Sequence, residues 1–347
     1  MYVIYYYKFS LVFGLMMVLF YGNWFLIWAT LEMVSVLLIR LIGQELSPRK
    51  VERISKYFVI QAVASAFLLL GIILRYNCVG EISINEYKKD LSFFFILCGL
   101  LIKIGVWPKP FWFVDVIKGV SLIRGFYIAV ASKIIPVIIF IIIVDMSLPL
   151  WLCVVGLGSV FMGRVLGINQ TRVRKIIALS SIAHLGWLVV GLPWLSVSQG
   201  FFIFLCYLRM VVPLIVVAGF YEIDDLSKIK RGYFHPFILV FLILSLLSLG
   251  GFPPLIGFFY KWVIFLGLLQ NNFYLICGFL IVMRVISLFF YLRLCFSLYS
   301  LYYPERKLVF LAQFRFLRGE GVLVWVLITR LTVFLVFGLL AFGLICL

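Results

Sequence analysis

The sequence predicts an all-α polytopic membrane protein with about eleven transmembrane helices. They read as two inverted five-helix repeats, each with a broken helix, followed by a C-terminal helix. Three observations predict this. Of 347 residues, 65% are hydrophobic and only 12% are charged, and the mean hydropathy is +1.21. Soluble domains run near roughly 45–50% apolar and about 25% charged, so a globule this apolar could not cover itself with polar groups. Second, apolar runs long enough to span a bilayer, roughly 20 residues, recur along the whole chain. Third, Lys and Arg fall almost entirely on alternate connections. Together these exclude a soluble enzyme, a secreted disulfide scaffold and a disordered chain.

In chain order the spans cover 2–21, 24–43, 57–75, 91–119, 123–145, 148–166, 174–192, 197–220, 235–270, 273–299 and 322–346. Two are too long for one straight helix. The run 91–119 is interrupted at Pro108 and Pro110, and the run 235–270 at Gly250, Gly251, Pro253 and Pro254. Proline removes a helix donor and clashes with the preceding turn. In lipid the freed backbone groups must face protein or a hydrated cavity. Broken spans at matching places in two halves point to inverted repeats. The predicted boundaries are 1–146 and 147–300 for the repeats and 301–347 for the last loop and helix.

The net charge of +17 comes from 30 Lys+Arg against 13 Asp+Glu. Nucleic acid is not the partner this implies, because the bases sit in short connections between apolar runs. One side collects Arg40, Arg49, Lys50, Arg53 and Lys56, then Lys118 and Arg124, then Arg164, Arg172, Arg174 and Lys175. Lys228, Lys230 and Arg231 follow, then Arg293, Arg306, Lys307, Arg315 and Arg318. The other side holds Arg75, Lys88 and Lys89. The positive-inside rule then puts the N-terminus on the positive side and the C-terminus opposite. The seven cysteines form no CxxC and read as small buried residues. The N-terminus lacks a basic n-region and a small-residue cleavage site, so no removed signal peptide is expected.

Ionisable residues at membrane depth are costly and tend to carry function. Here they are Glu32, Lys103, Lys133, His184, Arg209, Lys261, Arg284 and Arg330. Glu32 falls in the second span and Lys103 in the broken fourth. His184 falls in the second span of the other half and Lys261 in its broken fourth. Each half thus offers one titratable group and one lysine at corresponding places. Desolvation favours a neutral amine and a nearby carboxylate favours an ammonium, so a buried lysine can load and release a proton. Lys133, three residues before Pro136, sits where a local kink or a freed carbonyl is expected. Arg209, Arg284 and Arg330 read as structural pairings or as lipid or subunit contacts. His235 reads as interfacial, and Asp115 as an N-terminal or loop carboxylate next to Lys118. A hydrated line joining Lys103, Lys133, His184 and Lys261 is expected, with Ser180 and Ser181 helping to hold water near His184.

No P-loop, no dinucleotide fingerprint, no paired haem ligands and no iron–sulfur cysteine set occur in the sequence. Any redox step is therefore expected in a partner.

Several motifs together resemble one family. The run INQTRVRKIIALSSIAHLGW after Gly167, LIKIGVWPKPFW around Lys103 and GGFPPLIGFFYKW up to Lys261 carry the resemblance. KYFVIQAVASAFLLL at 56–70 and LEM at 31–33 add to it. They are similar to the subunit 2 family of mitochondrial NADH dehydrogenase (complex I), one of the antiporter-like membrane subunits. By that resemblance Glu32 and Lys103 form the first charge pair, Lys133 is the connecting lysine, and His184 and Lys261 are the second-half relay. Pro110 stands where the family usually has His, and Tyr260 where it has Pro before the lysine.

The resemblance implies a proton-translocating membrane-arm subunit of NADH:ubiquinone oxidoreductase in the mitochondrial inner membrane. The N-terminus would lie in the matrix and the C-terminus in the intermembrane space. It implies no cofactor in this chain, with NADH, FMN, iron–sulfur clusters and ubiquinone held by partner subunits. Partners would be other membrane-arm subunits, antiporter-like ones included, and lipids such as cardiolipin. Its eleven helices would match the short animal-type form, lacking three N-terminal helices of bacterial relatives. Two other readings share some of these features: a component of a cation/proton antiporter, and a purely structural membrane anchor.

Overall fold

The computed structural model describes residues 10, 13–14, 22–43, 48–80, 91–120, 125–144, 149–170, 172–220, 236–253 and 255–300. The predicted spans 2–21 and 322–346 lie largely or wholly outside them, as do Arg124, Lys88, Lys89, the cations of 228–231 and 306–318, His235, Pro254 and Arg330. The described residues are helical, with no strand among them.

The helices are α1 (Trp24–Ile42), α2 (Pro48–Val79), α3 (Leu91–Ile104), α4 (Phe111–Gly119), α5 (Ser132–Ile143) and α6 (Pro149–Ile168). They continue with α7 (Val173–Gly191), α8 (Val197–Phe220), α9 (Pro236–Gly250), α10 (Ile256–Gln270) and α11 (Tyr274–Ser300). Six of these, α1, α2, α6, α7, α8 and α11, contain windows long and apolar enough to cross a membrane.

The chain divides into two compact units, residues 1–159 and 160–347. In the first, α3 packs along α2, and α1 and α5 join them. Glycines set the α2–α3 spacing. A Cβ on Gly71 would meet Ser92 O at 2.9 Å, and one on Gly99 would meet Ala64 O at 2.9 Å. Small residues let helix backbones approach where lipid offers no hydrophobic drive to pack. In the second unit α7 is central. Its residues from Ile176 to Gly191 are all buried, as expected of a helix that is apolar all round. It packs on α8 and α10, while α9 packs on α8 and α11.

The two long apolar runs break as the prolines predict, and both breaks use the same backbone device. Gly105 N donates to Leu101 O and Ile102 O, and Val106 N reaches back to Leu101 O. Gly251 N donates to Leu247 O and Ser248 O, and Phe252 N to Leu247 O. Both glycines have positive φ, +81° and +80°, the left-handed cap that ends a helix and satisfies its last carbonyls. The glycines, not the prolines, end the first half-helices, and the prolines keep them from resuming at once.

Two expectations need correction. The cations Arg49, Lys50, Arg53 and Lys56 are not in a loop: they lie in the first turns of α2, a helix of 32 residues. Hydropathy marks the lipid-facing part of a helix, and α2 extends beyond it, supported there by an exposed Lys56–Glu52 pair at 2.6 Å. Arg75 and Arg164 are not loop residues either. They lie within α2 and α6 and are 3% and 2% exposed. At Lys133, α5 runs on through Pro136. The irregularity lies just before Lys133, as a π-helical turn over Tyr127–Ala131. Pro136 still lacks the N–H that would reach the carbonyl of Ser132.

Candidate functional site

In the first unit, α1 carries Glu32 and the last turn of α3 carries Lys103. Lys103 Nζ lies 3.7 Å from Glu32 Oε2, with the lysine side chain 2% and the glutamate 30% exposed. This is an ion pair held slightly beyond hydrogen-bond length, and neither atom has a hydrogen-bond partner among the described residues. Next to Lys103 is a small cavity walled by Ser35, Tyr57, Gln61, Lys103, Ser132 and Pro136 among others, with about 10 Å³ of room for the centre of a water. That volume and the polar wall suit a single water. Gln61 Nε2 is also without a protein partner, so a water there has donors and an acceptor to bind.

Lys133 is fully buried, and its Nζ sits 3.5 Å from the centroid of the Phe113 ring. A ring face attracts an ammonium through its quadrupole, the more so when water is excluded. Phe113 belongs to α4, the half-helix after the break, so the break positions the face on which Lys133 rests. Asp115, on the same helix, pairs with Lys118 at 2.8 Å and is about half exposed.

In the second unit the break itself is the site. The last carbonyls of a helix carry partial negative charge and have no intrahelical partner. Lys261, fully buried on α10, donates to Gly250 O at 3.1 Å and Leu249 O at 3.4 Å. Arg284 of α11 donates to Gly251 O at 2.9 Å and covers the Phe258 ring at 4.8 Å. Two cations thus cap the end of α9. Space there is tight, because a Cβ on Gly251 would lie 2.8 Å from Lys261 Nζ.

His184, 2% exposed on α7, lies between two tyrosines. Its Nδ1 pairs with Tyr260 Oη at 2.5 Å, and its Nε2 lies 3.5 Å from Tyr291 Oη. Tyr291 Oη also accepts from Arg164 Nη1 at 3.1 Å. Ser180 and Ser181, one turn before His184, bond within their own helix. Both hydroxyls donate to carbonyls of their own helix, Ile177 O and Ala178 O, at 2.8 Å, the usual local alternative for a serine in a helix.

The structure thus brings Glu32 and Lys103 together, seats Lys133 on an aromatic face, and places His184 in contact with the residue before Lys261. Arg284 makes the structural pairing expected of it. Arg209 is exposed on α8. Sequence reasoning missed Arg164, Tyr260 and Tyr291. Tyr260 had a signal, because it stands where the resembled family has proline. Arg164 was grouped with loop cations, since four residues separate it from the end of α6.

The profile of the family described as NADH:quinone oxidoreductase/Mrp antiporter, TM, matches residues 22–287. The chain is 32% identical over 345 residues to NADH-ubiquinone oxidoreductase chain 2 of Patiria pectinifera, covering 97% of this chain and 95% of that one. It is 35% identical over 289 residues to the chain of that description from Squalus acanthias, covering 83% of each. Among solved structures, a chain of respiratory complex I from Thermus thermophilus with bound aureothin superposes with a TM-score of 0.78 at 24% identity, over 85% of this chain and 70% of that one. A chain of the Mrp complex of a Dietzia species gives 0.74 at 19% identity, over 81% and 57%. At these identities the structural likeness is one of fold.

Proposed function

The chain belongs to the NADH:quinone oxidoreductase/Mrp antiporter family of transmembrane proteins, and from that premise we propose that it is a proton-translocating membrane-arm subunit of a respiratory NADH:ubiquinone oxidoreductase. The observation that carries this is similarity over nearly the whole chain, 97%, to an NADH-ubiquinone oxidoreductase chain 2. The buried lysines at the two helix breaks supply the chemistry.

Glu32, Lys103, Lys133, His184 and Lys261 are the residues assigned to proton transfer. In the first unit, the Glu32 carboxylate favours the ammonium of Lys103 across 3.7 Å. Withdrawal or protonation of that carboxylate favours release. Lys133 answers to the ring of Phe113 instead. In the second unit, Lys261 loses its stabilising carbonyls when the α9–α10 break shifts, and His184 stands ready through Tyr260. Moving one charge through about 100 mV costs roughly 2.3 kcal/mol. That energy arrives from redox steps in partner subunits, to which NADH, FMN, iron–sulfur clusters and ubiquinone are assigned.

The eleven-span topology, the inverted repeats at 1–146 and 147–300, the terminal segment 301–347 and the matrix N-terminus belong to the same proposal. The shared cap geometry at Gly105 and Gly251 supports the repeats. The lysines, however, are not at equivalent points. Lys103 precedes its capping glycine, whereas Lys261 follows its own on the next half-helix.

The test is native purification from inner membranes with mass spectrometry of the partners, followed by NADH:quinone reductase and proton-uptake assays. Co-purification with both activities supports the proposal. Sodium-dependent proton transport by the isolated chain, without quinone reductase partners, favours the antiporter reading.

A further inference from the structure

Arg164 has no part in the relay just assigned, and its setting is unusual for a cation. It is 2% exposed within apolar α6, and no Asp or Glu occurs among the described residues of the second unit. Nη1 donates to Tyr291 Oη, while Nε and Nη2 have no hydrogen-bond partner among the described residues. A guanidinium has donors and no acceptor, and it keeps its proton in proteins. Holding one here uncompensated is costly. Arg164, Tyr291, His184 and Tyr260 form one chain of polar contacts across four helices, α6, α11, α7 and α10.

We propose that Arg164 closes the Tyr291 end of this chain, so that His184 exchanges protons through Tyr260 alone. The inference rests on the proton-translocating function given above. When a protonated His184 gives its Nδ1 proton to Tyr260 Oη, the tyrosine gives its own hydroxyl proton to Lys261 in its neutral amine form. One N–H bond breaks on the ring, one O–H bond forms and another breaks on Tyr260, and one N–H bond forms on Lys261. The reverse step reloads the ring. On the other side, a proton passed from Nε2 to Tyr291 Oη goes no further, because the next group is a guanidinium without a lone pair. Its fixed charge also repels a proton in a site that excludes water. Past the C-terminal end of α6 come Arg172, Arg174 and Lys175 at the start of α7, and Arg293 of α11 bonds Ile168 O at 2.9 Å. Arg164 therefore stands between the imidazole and that cation-rich end as an electrostatic plug, the device by which a buried arginine excludes protons from a pore.

The experiment uses the complete assembly, reconstituted in proteoliposomes, with Arg164→Met, Arg164→Lys and Tyr291→Phe. NADH oxidation, proton pumping and passive proton leak are read separately. Arg164→Met is expected to oxidise NADH at close to the wild-type rate while leak rises several-fold and net pumping falls. Arg164→Lys restores a basic group that, unlike a guanidinium, can give up its proton, and is expected to leak more than the wild type. Tyr291→Phe shortens the chain but keeps the plug, and is expected to pump and stay tight. An assembled Arg164→Met complex that holds its gradient overturns the proposal. So does an assembled Arg164→Lys complex as tight as the wild type, or lost pumping in assembled Tyr291→Phe. If Arg164→Met does not assemble, Arg164→Gln, neutral but polar, takes its place under the same criteria. Normal pumping by Lys261→Met would remove the relay reading instead, whatever the leak measurements show.

Discussion

Lys261 has two candidate roles, a cap on a broken helix and a proton carrier, and a pair of substitutions separates them. Lys261→Met keeps the length of the side chain and removes the ammonium. The bond at 3.1 Å to Gly250 O is charge-assisted, and the one at 3.4 Å to Leu249 O is weak by geometry. Losing a hydrogen bond to a charged group costs about 1.5–3 kcal/mol. Against this, the change removes a fully buried cation that faces no carboxylate among the described residues of its unit. Relief of that desolvation is worth several kcal/mol, so the two effects offset and assembly is expected to survive. Lys261→Arg is the complement. It satisfies the carbonyls and keeps the charge, at an overpacking cost of about 1–3 kcal/mol, but a guanidinium does not release its proton. Both variants are expected to assemble, and both to lose proton pumping while retaining part of the NADH:quinone reductase activity. The assay is proton uptake per NADH oxidised in proteoliposomes, with assembly scored by native electrophoresis. If Lys261→Arg pumps normally, Lys261 is a cap and nothing more. If Lys261→Met also pumps, the residue has no place in the mechanism.

Lys103→Met is expected to assemble and to lower proton pumping coupled to quinone reduction; normal pumping by the assembled variant would remove Lys103 from the relay. Glu32→Gln removes an attraction that at 3.7 Å is about 1 kcal/mol in water and about 4.5 kcal/mol at an effective dielectric of 20. Its pumping–pH profile is expected to shift from the wild type, and an unchanged profile would count against Glu32–Lys103 coupling. Gly257→Ala puts a Cβ 1.5 Å from Ser248 O, a backbone atom that cannot swing aside. It should cut the yield of assembled complex sharply, whereas Gly278→Ala, with nothing within 4 Å, should leave the yield unchanged.

The sequence was most informative where a single physical requirement leaves a mark on residue type. The breaks near 105 and 251 were visible because proline and glycine interrupt apolar runs. Glu32 and Lys103 were visible as charges at membrane depth, and their pairing came from the family resemblance. What escaped were contacts between elements far apart in the chain. Nothing local ties Arg164 to Tyr291, 127 residues away, or Lys133 to the ring of Phe113. The length of α2 escaped for another reason. Hydropathy reports what faces lipid, and a helix that leaves the lipid keeps its hydrogen bonds while its side chains turn polar, as Glu52 and Lys56 do.

The two units stabilise their lysines by different means, and this sets what can trigger each one. Lys103 faces a full carboxylate charge that is 30% exposed, so its hold depends on solvation and on the ionisation of Glu32. A proton, or a small movement of α1, is enough to alter it. Lys261 faces carbonyl dipoles at the end of α9. These cannot be protonated away, and a helix terminus carries only about half a unit charge. Its hold depends on geometry: whether α10 keeps Nζ at 3.1 Å from Gly250 O. Gly257 presses α10 against Ser248 with no room for a Cβ, and Arg284 pins Gly251 O from α11. A movement of either contact changes the electrostatics at Lys261 without any change of charge. The first lysine is therefore built to respond to a charge, and the second to a displacement of the helix break.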